Sequence, residues 1–320
     1  MENMRGNLLI LALLAVLTAG CGQGRKAEQF KALPFPEVVP PEMMSDPADR
    51  AEYLAQHYWD RFVDPAREYP SDSLLLSGVR RGDIEQKFAD WTSILDMMPR
   101  SSADKAISSL YEKTVACERK DTASDVFDTF VMLAEKYFYD PNSPLRNEDN
   151  YHAFVKRLAS YEGFDDAVRS RYAFEADMTA LNRTGTIAAD FRFADKNGHI
   201  RTLHGIKAPM TLLFFSNPGC NACMDIINVL RDHEIISAMI SEGSLAVVNI
   251  YIDEDIQAWR EYMPIYPDEW YNGFDPDLII RNDNLYHVRA IPSLYLLDNE
   301  KRVILKDAPE NRVFGTLLSR

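Results

Sequence analysis

The spacing of apolar positions changes once along the chain, near residue 184. Upstream, from about Asp46 to Arg183, apolar residues recur every three or four positions, as they do on one face of a helix. The pattern predicts helices near 47–63, 80–98, 102–118, 122–138, 148–161 and 163–182. Pro65 and Pro70, Pro99, and the run Asp140-Pro141-Asn142-Ser143-Pro144 set the stops, because proline lacks an N–H and cannot continue a helix. Downstream, ADFRFADKNGHIRTL predicts two short strands about a turn at Asn197-Gly198. Met210–Ser216 is a continuous apolar run, the mark of a strand buried on both faces. A helix is expected from about Asn221 to Ser241, with Ile226, Val229, Leu230, Ile236 and Ile240 on the face that meets the sheet. A second buried strand, Leu245–Ile252, then completes a β-α-β unit with parallel strands. Residues 253–285 read as a mainly helical, acidic and aromatic insertion. SLYLLDNEKRVILKD reads as a hairpin turning at Asn299-Glu300, and 309–319 as a closing helix.

The fold expected is therefore an α-helical region over 46–183 followed by an α/β domain over 184–320. Ahead of both, Leu8–Leu17 is too short an apolar run to span a bilayer but suits the core of a signal peptide over 1–20. Thr18-Ala19-Gly20-Cys21 resembles the lipobox of bacterial lipoproteins, which implies acylation at Cys21. Pro34, Pro36, Pro40 and Pro41 mark 21–45 as an extended tether. The protein is accordingly expected in the cell envelope, lipid-anchored, facing the periplasm, with the outer membrane preferred because Gly22-Gln23 gives no inner-membrane retention signal. A net charge of −14 repels phosphate backbones, so nucleic acid is not an expected partner.

Export gives the cysteines their meaning, since an envelope compartment permits disulfides. Beyond Cys21 there are three: Cys117 in a helical pattern, read as a buried and inert core residue, and the pair Cys220 and Cys223 in NPGCNACMDI. The pair falls between a buried strand and a helix. There the unpaired N–H groups and dipole of the first helical turn favour a thiolate, so Cys220 is the expected attacking group and Cys223, one turn deeper, the resolving one.

GTIAADF, LLFFSNPGCNAC and YHVRAIPSLYLLD together resemble the thioredoxin-like fold, in the exported branch related to the TlpA and ResA reductases. YLAQHYWDRF, YFYDPNSPLRNEDNY and LNRTGTIAADF look like a family of exported lipoproteins that join a helical domain of unknown function to that fold. The resemblance implies a cis bond at Pro292, with Ile291 pairing its main chain to a substrate peptide. It implies thiol-disulfide exchange with exported proteins and a redox partner, without a cofactor. The sequence departs from the pattern at three positions: Gly219 replaces the aromatic residue before the nucleophile, and Phe214 and Ile226 stand where proton-carrying acids are found. Asp225 and Asp253 are the candidate substitutes.

Two other readings remain open from the residues. The thiol pair with His204, His233 or His287 could carry copper, as Sco-like proteins of this fold do, although no second Cys-x-x-Cys or paired His completes a structural zinc set. The helical region, with Tyr53, Tyr58, Trp59, Phe62, Phe88 and Trp91, could be a non-enzymatic binding module. Asn217 replaces the threonine of peroxiredoxins, which argues against a peroxidase.

Overall fold

The computed structural model describes residues 30–319. The expected signal peptide over 1–20 and Cys21 lie outside them. Among the described residues no helix is long and apolar enough to cross a membrane.

Six helices make up most of the N-terminal half: Pro47–His57 (α1), Arg81–Asp96 (α2), Arg100–Lys120 (α3), Val126–Ala134 (α4), Glu148–Leu158 (α5) and Asp166–Ala180 (α6). Their starts follow side-chain chemistry. Asp46 accepts the N–H of Ala48 at 2.7 Å with Pro47 behind it, and Asn147 accepts the N–H groups of Asp149 and Asn150 at 3.1 and 3.2 Å. The core between the helices is aromatic, with Trp59, Phe62, Phe88, Trp91, Phe130 and Phe138 all buried, and Trp91 donates its indole N–H to the Ala55 carbonyl at 2.8 Å. The aromatics read as a candidate binding surface are thus mostly core; only Tyr53 and Tyr58 lie toward its margin.

Three features of this half differ from expectation. α4 stops at Ala134 and continues as a π turn over Glu135–Tyr139, closed by Asp140 N–H on the Glu135 carbonyl. A two-residue pair, Leu75–Leu76 (β1) with Val79–Arg80 (β2), lies in the segment between the first two helices. The described part of the expected tether is not free: Leu33 N–H bonds the Gly78 carbonyl at 2.8 Å, Phe35 packs edge-on to Trp59, and Pro40 is buried. The apolar residues set among the prolines find a hydrophobic surface, and burial outweighs the freedom of a linker.

The C-terminal half is built on a seven-stranded sheet in the order β4-β3-β7-β6-β5-β8-β9. Its strands are Arg192–Asp195 (β3), Ile200–Thr202 (β4), Met210–Phe215 (β5), Leu245–Tyr251 (β6), Tyr271–Phe274 (β7), Ser293–Leu297 (β8) and Val303–Leu305 (β9). β5 and β6 run parallel, as the β-α-β pattern requires, and β8 pairs antiparallel to β5 with Phe215 opposite Ser293. Every residue of β5 and β6 is buried, so the two strands sit at the centre of the domain.

The expected single helix over 221–241 is two, Asn221–Asp232 (α7) and Glu234–Ser241 (α8), broken at His233, whose backbone is extended. Ile226, Leu230 and Ile236 meet the sheet as read, but Ile227 does so in place of Val229, which is exposed. The insertion also departs from its reading. It holds Ile256–Tyr262 (α9) and the short Ile279–Asn282 (α10), but between them β7 joins the central sheet next to β6. β7 is short and carries Asn272 and Gly273, which hid it. Gly273 is required there, because a Cβ would come within 2.5 Å of the Phe193 ring and 2.9 Å of the Ala194 carbonyl. Glu310–Leu318 (α11) closes the chain.

Candidate active site

At the C-terminal end of β5 the chain turns through Asn217-Pro218-Gly219-Cys220 before entering α7. Cys220 N–H bonds the Asn217 carbonyl at 3.3 Å, and Gly219 has φ +74. Proline followed by a residue of positive φ is the type II pattern, so the third position asks for glycine. This accounts for Gly219 where an aromatic residue was the reference, and its α-carbon faces open space.

Cys220 is the N-cap of α7. Its sulfur accepts the N–H of Cys223 at 3.1 Å, and the two residues are joined as a disulfide with their α-carbons 5.2 Å apart. Cys220 is half-buried and Cys223 almost fully so. An attacking reagent therefore reaches one sulfur and not the other. Once the bond is opened, the same N–H and the dipole of the first turn of α7 favour negative charge on Cys220.

The second predicted element lies beside this turn. Extending the β5–β8 register beyond Phe215 and Ser293 brings Pro292 and Ile291 alongside Ser216 and Asn217. The Ile291–Pro292 bond is cis, as the resemblance implied. Ile291 packs on the same apolar cluster as Cys220 and Cys223. Among the described residues its N–H and C=O take part in no hydrogen bond, so its main chain is open for pairing.

Phe214 and Ile226 are buried under the pair, so the positions where relatives keep an acid are apolar. Polar groups lie one strand over instead. Asn249, paired with Phe214 across the sheet, accepts the Ser216 hydroxyl at 2.5 Å and donates to Asn272 at 3.0 Å; Tyr266 Oη stands 3.3 Å from Ser216 Oγ. Sequence reading missed this network, whose one signal was the polar Asn249 inside an apolar strand. Asp253 accepts Asn217 Nδ2 at 2.7 Å and pairs with Arg281 at 2.9 Å, while Asp225 is exposed. Of the three histidines considered as metal ligands, His204 bonds the Ala188 carbonyl through Nε2 at 2.8 Å, His233 stands at the α7–α8 break, and His287 lies 3.2 Å from Glu148. Among the described residues no three His, Cys, Asp or Glu side chains gather as a metal site. Cys117 is buried in the helical core and burial pushes its thiol pKa up.

Residues 18–182 match the family model described as a domain of unknown function, DUF5106. A thioredoxin-like protein from Bacteroides caccae ATCC 43185 is 35% identical, with 90% of this chain and 100% of that one aligned at a TM-score of 0.75. The chain belongs to this family of thioredoxin-like proteins with a DUF5106 region. The C-terminal domain of an uncharacterized protein from Bacteroides fragilis NCTC 9343 is 42% identical over 43% of this chain and 98% of that one, with a TM-score of 0.42. No curated protein matches. In this thioredoxin-like chain the DUF5106 half does not stand apart from the site: Tyr139 and Glu148 reach across to Arg289 in the segment that leads into Pro292, and Arg146 to the Asp307 and Ala308 carbonyls, contacts between residues more than 140 positions apart that no local pattern signals.

Proposed function

We propose that the protein is a thiol-disulfide oxidoreductase acting on other exported proteins. The observation that carries the reading is the asymmetric pair at the start of α7, with Cys220 accessible and capped by the Cys223 N–H and Cys223 buried behind it. The Cys220 thiolate attacks a substrate disulfide, forming one S–S bond and expelling one substrate thiolate. Cys223 then attacks Cys220, closing the internal disulfide and releasing the second substrate thiol; the reverse sequence oxidises a dithiol. Ile291 lends its free main chain to an extended substrate segment, as an added strand does. The apolar run and the Thr18-Ala19-Gly20-Cys21 sequence support export and a lipid anchor at Cys21. That part is checked by fatty-acid labelling, which Cys21→Ser should abolish.

The roles of the pair are tested by trapping in cells. Cys223→Ala should accumulate mixed disulfides with envelope proteins through Cys220, resolved by reducing agent on a gel, and Cys220→Ser should accumulate none. Equal trapping by both variants, or by neither, would falsify the assignment.

A further inference from the structure

Among the described residues the largest buried cluster of charge is not at the cysteines but behind the proline segment. Glu148, in the first turn of α5, is 1% exposed. Its Oε1 accepts Arg289 Nε at 2.7 Å and lies 3.2 Å from His287 Nδ1, and its Oε2 pairs with Lys306 at 2.9 Å. Arg289 also reaches Asp307 at 3.0 Å, and Asp307 accepts the Ser293 hydroxyl at 2.7 Å. Residues 287, 289 and 293 therefore bracket Ile291 and Pro292, and each is tied into one ionic cluster.

Most of the ties come from the helical half. Arg146 donates to the carbonyls of Asp307 and Ala308 at 2.9 and 3.1 Å. Lys306 donates to the carbonyls of Thr179 and Leu181, at the end of α6, at 2.8 and 2.6 Å. The Tyr139 ring, delivered by the π turn and stacked on Tyr151, carries the Arg289 guanidinium 4.2 Å from its centroid. A charge cluster like this costs desolvation and gives little net stability compared with an apolar packing of the same volume. What it supplies is direction, since each planar or forked group accepts partners only in a fixed geometry.

We propose that Glu148 is a positioning residue for disulfide exchange, and that the DUF5106 half acts on the chemistry by holding the 287–293 segment where Ile291 can receive a substrate backbone. This rests on the redox reading above. Among the described residues the cysteine turn has no such tie to the helical half: its partners, Asp253, Asn249 and Tyr266, all belong to the C-terminal half. Loosening the cluster therefore weakens capture of a peptide and leaves the reactivity of the thiol alone.

The test uses the chain that follows Cys21, reduced and in single turnover, with two substrates followed by release of thionitrobenzoate: Ellman's reagent itself, and an extended decapeptide whose single cysteine is capped with thionitrobenzoate. Glu148→Gln keeps the shape and an acceptor for Arg289 but removes the charge. We expect the peptide concentration that gives half the maximal single-turnover rate to rise about tenfold, with the maximal rate and the Ellman's rate held within about twofold, since a displaced binding element costs in proportion to misplacement. An unchanged half-saturating peptide concentration, or parallel loss on both substrates, overturns the proposal and leaves Glu148 a structural tie. If Glu148→Gln does not fold, Tyr139→Leu reads the same ratio, with a smaller rise of about threefold expected and no rise overturning it. Unaltered protein that reacts with neither substrate defeats the redox reading itself, an outcome distinct from the others.

Discussion

The two sides of the site are built in opposite ways. The cysteine turn is local: a buried strand, a Pro-Gly turn, and a helix whose first N–H groups face the sulfur, all within residues 210–232. The proline segment is assembled from afar, by charges that begin at Arg146 and end at Asp307. The first arrangement sets reactivity through backbone geometry, which single side-chain changes hardly alter. The second sets position through paired charges, and one change can undo it. Reactivity and substrate capture can therefore be separated experimentally.

The comparison breaks most severely at Glu148. Glu148→Ala leaves Lys306, Arg289 and His287 without their shared anion at a buried position. Removing one member of a buried pair costs about 3 kcal/mol or more, so urea midpoints should fall by that equivalent. An exposed pair such as Lys196–Asp268, on the far side of the comparison, should cost under about 1 kcal/mol when broken. Equal losses at the two places would show that the proline segment does not depend on its buried charge.

Acid sharpens the same contrast with a smaller effect. Burial alone would raise the Glu148 pKa, but the His287 ring and the Lys306 and Arg289 cations outweigh it and hold the carboxyl at about 2, against 4.5 unperturbed. A depressed folded pKa means stability present above about 4.5 and lost as the pH falls toward 2. Asp307 works against this, since burial and then the Glu148 charge raise its pKa. Wild-type melting temperature should therefore fall more steeply between pH 4.5 and 2 than that of Glu148→Gln, which has no proton to take up at this position. Parallel curves would remove Glu148 from the account of acid stability.

These contrasts also explain what could be read in the sequence. The cysteine turn was legible because a run of apolar residues, Pro218-Gly219 and Cys-x-x-Cys each specify local geometry and agree. Pro292 was legible only through resemblance, since a single proline before a strand carries no sign of its isomer. β7 was not legible: four residues with Asn272 and Gly273 lack the apolar pattern of a central strand, and their pairing with β3 and β6 is decided by the rest of the sheet. Glu148 was not legible either. Glu148-Asp149 in the first turn of a helix reads as ordinary dipole matching, and nothing nearby tells that the glutamate faces three basic side chains of a segment far along the chain. The stretch with Leu33 and Phe35 failed for a related reason, as its docking surface is formed only after the helices pack.

The smallest expected effect lies at Asp253, one of the two candidate proton-relay acids on the cysteine side. One of its oxygens accepts Asn217 Nδ2, and the other pairs with Arg281, a residue itself more than half exposed. Held this way, Asp253 fixes the start of the Pro-Gly turn, and a proton carrier would need one of those oxygens free. An asparagine keeps an acceptor for only one of the two partners, but the pair with Arg281 is solvated, and solvated pairs contribute roughly 0–1 kcal/mol. Asp253→Asn should therefore shift the pH at which Cys220 reaches half its maximal alkylation rate by less than about half a unit, the charge being screened by water and salt. A relay would behave otherwise: the variant would lose an ionisation from the pH profile of exchange while its alkylation profile stayed in place. That outcome would move Asp253 from the scaffold of the cysteine turn into its chemistry, and would mean that the buried apolar positions at Phe214 and Ile226 are compensated from the loop after β6.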